Sequence, residues 1–180
     1  MRYLIPVMCF LASTAHAVDI ASSGQDRDLC KVIVSNIGET MPPGAYQGQC
    51  VNGKPDGMGQ IVFNNGDRFA GNFKNGRIDG KGTWTSGSSG NSYTGSWRDG
   101  KRDGVGTYNW ARSNQQYAGA WVDDKRQGQG TLTWGNGNRF EGEFRNNQQY
   151  NGTLYGADGT THTCYMGSCR KLAQRANRLT

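Results

Sequence analysis

An aromatic residue followed two positions later by glycine recurs at Tyr46, Phe69, Tyr93, Tyr117 and Phe140, in steps of 23, 24, 24 and 23 residues. A period of this length, sustained over most of the chain, points to stacked supersecondary units rather than a single globule. Counting each first aromatic as position 0, position 2 is Gly48, Gly71, Gly95, Gly119 and Gly142, and position 4 is Cys50, Phe73, Trp97, Trp121 and Phe144. Position 13 is Gly59, Gly82, Gly106 and Gly130, position 15 is Ile61, Trp84, Tyr108 and Leu132, and position 17 is Phe63, Ser86, Trp110 and Trp134. Within each group the step is two, the period of a strand.

Between the two groups, positions 6 and 7 read Asn52-Gly53, Asn75-Gly76, Asp99-Gly100, Asp123-Asp124 and Asn146-Asn147. Asn, Asp and Gly tolerate the positive φ that two-residue hairpin turns require. Each unit therefore reads as a β-hairpin, and links such as NNGDR, SGSSGNS and GNGNR form turns on the opposite edge. In Tyr93-Thr94-Gly95-Ser96-Trp97 both rings and the glycine share one face, so a ring can lie over bare backbone. The other face carries Thr83, Thr94, Ser96, Thr107 and Thr131. Only 34% of the 180 residues are hydrophobic and 28 are glycine, so the fold must rest on rings and backbone pairing rather than an aliphatic core.

Residues 93–107, YTGSWRDGKRDGVGT, follow the pattern Y-x-G-x-W-x-x-G-K-x-x-G-x-G-x-x. On these residues the chain resembles MORN-repeat proteins, with about five repeats over 46–161. The fifth unit, ending in NNQQYNGTL, lacks the second Gly-x-Gly pair and is one residue short, and a sixth half-unit is placed at Tyr165-Met166-Gly167-Ser168-Cys169. The resemblance implies an all-β, elongated, single antiparallel meander of stacked hairpins. It also implies a scaffold that binds proteins, oligomerises or associates with membranes, with no cofactor and no catalysis of its own.

The ends differ in character. Residues 1–17 combine Arg2, an apolar run from Tyr3 to Leu11 and Ala15-His16-Ala17, the order of a cleaved secretory signal peptide. The run is shorter than the roughly 20 residues of a membrane span. Export, to a periplasm or outside the cell, is the expectation. Cleavage would remove Arg2 and take the net charge from +6 to +5. Residues 18–45 form an N-terminal capping segment, in which Leu29, Ile33 and Ile37 lie on one face of a predicted short helix over 25–37, covering the first edge. Residues 162–180 form the half-unit and a basic tail.

Export also leaves four cysteines, an even count that favours disulfides. Cys50 and Cys169 are read at ring positions of the first and last units. Cys50 and Cys169 lie some ten strands apart at about 4.8 Å each, too far to bond to one another. The expected pairs are Cys30–Cys50 and Cys164–Cys169, the second requiring a turn inside CYMGSC.

Catalytic and metal chemistry find little support. The mature chain keeps one histidine, His162, in a threonine-rich turn; the cysteine spacing is not a zinc pattern, and GKPDGMG lacks the ending of a phosphate loop. Two binding surfaces are the candidates. A stripe at position 8, Lys54, Arg77, Lys101 and Lys125, with Arg102 and Arg126 adjacent, faces an anionic lipid, envelope glycan or acidic protein. Asp56, Asp79 and Asp103 are interleaved with it and weaken it. An aromatic face bearing Trp97, Trp110, Trp121 and Trp134 offers a platform for protein. Nucleic acid does not fit an exported chain with alternating charge signs. The expected function is a protein-binding scaffold of a bacterial-type cell envelope, with the anionic lipid or glycan as the alternative. The sequence does not set the oligomeric state.

Overall fold

The computed structural model describes residues 29–34 and 43–171. Among the described residues it is all-β: one antiparallel sheet of thirteen strands whose spatial order is the chain order. The strands are β1 (Leu29–Val34), β2 (Gly44–Val51), β3 (Lys54–Phe63), β4 (Arg68–Lys74), β5 (Arg77–Thr85), β6 (Ser92–Arg98) and β7 (Lys101–Trp110). They continue with β8 (Gln115–Val122), β9 (Lys125–Thr133), β10 (Arg139–Arg145), β11 (Gln148–Tyr155), β12 (Thr161–Tyr165) and β13 (Ser168–Lys171). The signal-peptide reading of 1–17 and the basic tail after Lys171 lie outside the described residues.

The hairpin turns form where the sequence placed them. Both central residues have positive φ, as in Asn75 (50°) and Gly76 (81°), or Asp123 (45°) and Asp124 (66°). That is the turn whose twist matches the strands it joins.

Register turns the repeat into lanes running across the sheet. One lane pairs Tyr46, Ile61, Phe69, Trp84, Tyr93, Tyr108, Tyr117, Leu132, Phe140, Leu154 and His162 in succession. Beside it runs a lane of ten glycines: Gly48, Gly59, Gly71, Gly82, Gly95, Gly106, Gly119, Gly130, Gly142 and Gly152. The glycine lane ends on Cys30 at one side and on Cys164 at the other. The rings lie over it. A Cβ added at Gly106 would overlap the Tyr93 ring, and one at Gly82 the Phe69 ring. A strand glycine ordinarily weakens a sheet. Here its bare backbone is the floor on which the neighbouring ring rests.

A third lane, Phe73, Trp97, Trp121 and Phe144, interlocks with the first. Each ring meets its neighbours edge to face in a zigzag from Tyr46 through Phe73, Phe69, Trp97, Tyr93, Trp121, Tyr117 and Phe144 to Phe140, with centroids 4.8–5.4 Å apart. Such pairs add about 0.5–1.5 kcal/mol beyond area burial. The indole N–H of Trp97 donates to the Gly82 carbonyl and that of Trp121 to the Gly106 carbonyl, each at 3.2 Å. The hydroxyls of Tyr46, Tyr93 and Tyr117 donate to the carbonyls of Gln49, Ser96 and Ala120. These rings are almost wholly buried although the fold is a single sheet.

Three expectations are corrected. The helix predicted over 25–37 is not what forms at its centre: Leu29–Val34 is a strand, antiparallel to β2, with Cys30 opposite Gly48. Val32, Ile33 and Val34 are β-branched and favour strand, and the open edge of β2 supplies the partner that an isolated helix lacks. The remainder of 25–37 lies outside the described residues. The fifth unit, though short of its second Gly-x-Gly pair, still forms its second strand, β11, and Gly152 keeps its place in the glycine lane. The final half-unit starts at His162, which takes the ring place, rather than at Tyr165. Its turn is Met166-Gly167, with φ of 49° and 80°. Cys169 accordingly faces Cys164 at the end of the glycine lane instead of filling a ring position.

Candidate interaction surfaces

Two surfaces of the sheet carry the candidate residues: the aromatic face, and the edge formed by the hairpin turns. On the aromatic face the rings divide into two sets. Trp97 (7% exposed) and Trp121 (3%) belong to the sealed zigzag. Trp84, Tyr108, Trp110 and Trp134 pack against it but stay half-buried. Trp84 stacks towards Tyr108 at 6.4 Å, and Tyr108 meets Trp110 at 4.5 Å. This second set is the ring surface that a partner can reach.

Two arginines also lie on this face. A register shift sits between positions 2 and 4 of each unit, where Gly95 pairs with Gly106 but Trp97 pairs with Arg102. The second strand carries two extra residues there, and Gly104 takes up the bend with a φ of 103°. Position 9 consequently faces the rings. It is Pro55 and Ile78 in the first two units, both buried, then Arg102 and Arg126. In the sequence these arginines stand beside the outer basic stripe. The structure places the Arg102 guanidinium over Trp121 (4.5 Å), Tyr108 (5.3 Å) and Tyr93 (5.8 Å). Arg126 lies over Phe144 (5.3 Å), Tyr117 (5.5 Å) and Trp110 (5.8 Å). The signal was present in the sequence: the same position is apolar in the two units before them.

The two arginines are neutralised differently. Nε of Arg102 donates to Asp124 Oδ1 at 2.8 Å, and its backbone N–H to the same oxygen at 3.0 Å. One unit later the acceptor position holds Asn147, whose Oδ1 takes the Arg126 backbone N–H at 2.9 Å and whose carbonyl takes Nη2 at 2.5 Å. Among the described residues no carboxylate pairs with Arg126, and burial lowers its pKa below the ordinary arginine value.

At the turn edge, Lys54, Arg77, Lys101 and Lys125 open successive second strands and form the expected stripe. Half of it is paired. Arg77 bridges to Asp99 at 3.1 Å and Lys101 to Asp123 at 3.3 Å, each reaching the turn of the following unit. For Lys54 and Lys125 the matching turn places hold Asn75 and Asn146, and neither lysine forms an ion pair among the described residues. Exposed pairs of this kind contribute little to stability. The interleaved acids have a structural task that their spacing alone does not reveal. Asp56, Asp79 and Asp103 accept the backbone N–H of Asn75, Asp99 and Asp123 at 3.0, 3.3 and 3.4 Å, so each caps the turn of the next unit.

The cysteines join in two disulfides, Cys30–Cys50 and Cys164–Cys169. His162 ends the ring lane between Leu154 and Lys171, and its buried Nδ1 has no hydrogen-bond partner among the described residues. The described residues contain no cluster of His, Cys, Asp and Glu able to hold a metal.

The family profile described as MORN repeat matches residues 46–68, 69–90, 93–115, 117–139 and 140–161. No curated protein matches the chain. Among solved structures, the chain is similar to the TCP domain of SAS-4 (dCPAP) from Drosophila melanogaster, solved in complex with a proline-rich motif of Ana2 (dSTIL). Identity is 11%, the TM-score is 0.49, and the match covers 94% of this chain and 99% of that one.

Proposed function

The chain belongs to the MORN repeat family, and we propose that it is a non-catalytic interaction scaffold of a bacterial-type cell envelope, exported by its first 17 residues, holding a protein partner against its aromatic face. MORN repeats serve as protein- and membrane-binding modules. The observation that carries the reading is the division of the rings. Nine seal the sheet, while Trp84, Tyr108, Trp110 and Trp134 remain half-buried on the same face. Partly exposed aromatics on a rigid framework are the anchors that protein interfaces favour. Catalysis needs a cleft and a poised nucleophile or base, and the reading assigns none.

The test is recovery of the mature chain from the native envelope, with Trp110→Ala and Trp134→Ala combined in one variant. Both rings lie outside the sealed zigzag, so the fold is expected to survive, as circular dichroism would check. A protein that co-purifies with the wild type and is lost with the double variant supports the reading. The anionic lipid or glycan alternative rests on Lys54 and Lys125, the stripe residues with no acid partner among the described residues. It gains support instead if vesicles of anionic lipid or envelope glycan bind in a salt-sensitive way, and binding falls with Lys54→Glu and Lys125→Glu while the tryptophan variant behaves as wild type. Capture that ignores both sets of changes would sink both readings.

A further inference from the structure

We propose that Arg126 is a receptor for a carboxylate, an Asp or Glu side chain in the protein segment that docks on the aromatic face; this rests on the reading of that face as a docking surface. The chain supplies its own precedent one repeat away. Arg102 lies among rings in the equivalent place and is neutralised by the Asp124 carboxylate. Arg126 lies among Trp110, Tyr117 and Phe144 with Asn147 where that carboxylate would be.

Comparison of the units shows that the two positions vary together. Where position 9 is Pro55 or Ile78, the turn residue that faces it in the next unit is Gly76 or Gly100. Where position 9 is Arg102 or Arg126, that turn residue is Asp124 or Asn147, with φ of 66° and 72°. A side chain in the left-handed region is disfavoured relative to glycine. At Asp124 the strain is offset by an ion pair. At Asn147 the side-chain amide takes the Arg126 backbone N–H and the main-chain carbonyl takes the guanidinium, and no carboxylate among the described residues compensates the charge. A guanidinium partly withdrawn from water and lacking a counter-ion favours an incoming anion more than a solvated one does. Trp110, half-buried beside it, offers apolar surface to the residue next to the anion. The precedent at Asp124 is the reason to commit to carboxylate rather than phosphate.

The experiment uses the full mature chain and a capped peptide of alternating Glu and Leu, with the Gln–Leu peptide as isostere. Binding is followed through the Arg126 Nε–H and Trp110 indole signals in NMR, with calorimetry for affinity. The Glu peptide should shift both signals and the Gln peptide should not. Asn147→Asp supplies the internal carboxylate seen at Asp124, so it should fold at least as stably as wild type yet weaken the Glu peptide about tenfold. Arg126→Gln should weaken it similarly, while Lys125→Gln should leave it nearly unchanged. Equal binding of the Gln peptide, undiminished binding by Asn147→Asp, or a response to inorganic phosphate alone would overturn the proposal. If the tryptophan variant loses the envelope partner while Asn147→Asp retains it, the carboxylate receptor fails and the scaffold reading stands. If the peptide behaves as predicted but no envelope partner depends on the tryptophans, the converse holds.

Discussion

Tyr46, Tyr93 and Tyr117 each lay a phenol over paired glycines and donate its hydroxyl to a carbonyl three residues on. Burial pushes all three phenols up to about 12. At Tyr93 the nearby Arg102 charge opposes this, and Asp124 and Asp103 add to it. The sign of the pH dependence follows. An unfolded phenol ionises near pH 10, so between about pH 10 and 12 the unfolded chain sheds protons that the folded one keeps. The stability these groups supply is complete below pH 10 and disappears as pH climbs through that window. Thermal melting from pH 8 to 12, with a spectrophotometric phenol titration alongside, should show the decline. Replacing the three by Phe, the residue already present at Phe69 and Phe140, should flatten it. A flat wild-type profile would contradict the burial argument.

At the scale of the element, the hairpins were the most readable part of the sequence. Two positive-φ residues between period-2 runs have few other solutions. Spacing alone does not reveal extra residues inside a strand, so it does not show that the position-9 arginines face the rings. The apolar Pro55 and Ile78 at the same position carried the missing information. The predicted helix failed for a different reason. Leu29, Ile33 and Ile37 fit a helical spacing, but strand pairing with β2 depends on a distant partner that local periodicity does not contain. Because Cys30–Cys50 closes a span of 20 residues, reduction should remove roughly 3 kcal/mol in the chain-entropy account. It should also speed amide exchange in β2 more than in β6 to β9. Helical circular dichroism in the oxidised chain would argue against the strand.

At the scale of the whole molecule, each unit touches mainly its neighbours, so the array is close to one-dimensional. Deleting 93–116 removes one period and brings β5 against β8. Trp84 then meets Tyr117 instead of Tyr93, Phe69 meets Trp121 instead of Trp97, and Asp79 caps Asp123 instead of Asp99. The shortened chain should still unfold in one transition, with a urea slope reduced roughly in proportion to the surface removed. A product without cooperative unfolding would show that stability is not shared unit by unit. The partner surface was only half legible. The tryptophans could be found by counting, but not which of them the sheet would seal, because that depends on how rings from different units interlock.

The lane of ten glycines is flanked by Cys30 on one side and Cys164 on the other. A further hairpin joining either end would bring its ring to a sulfur bridge rather than to the hollow it needs. The two disulfides therefore sit where the bare-backbone floor runs out, and among the described residues neither end of the lane leaves a glycine hollow for a further ring.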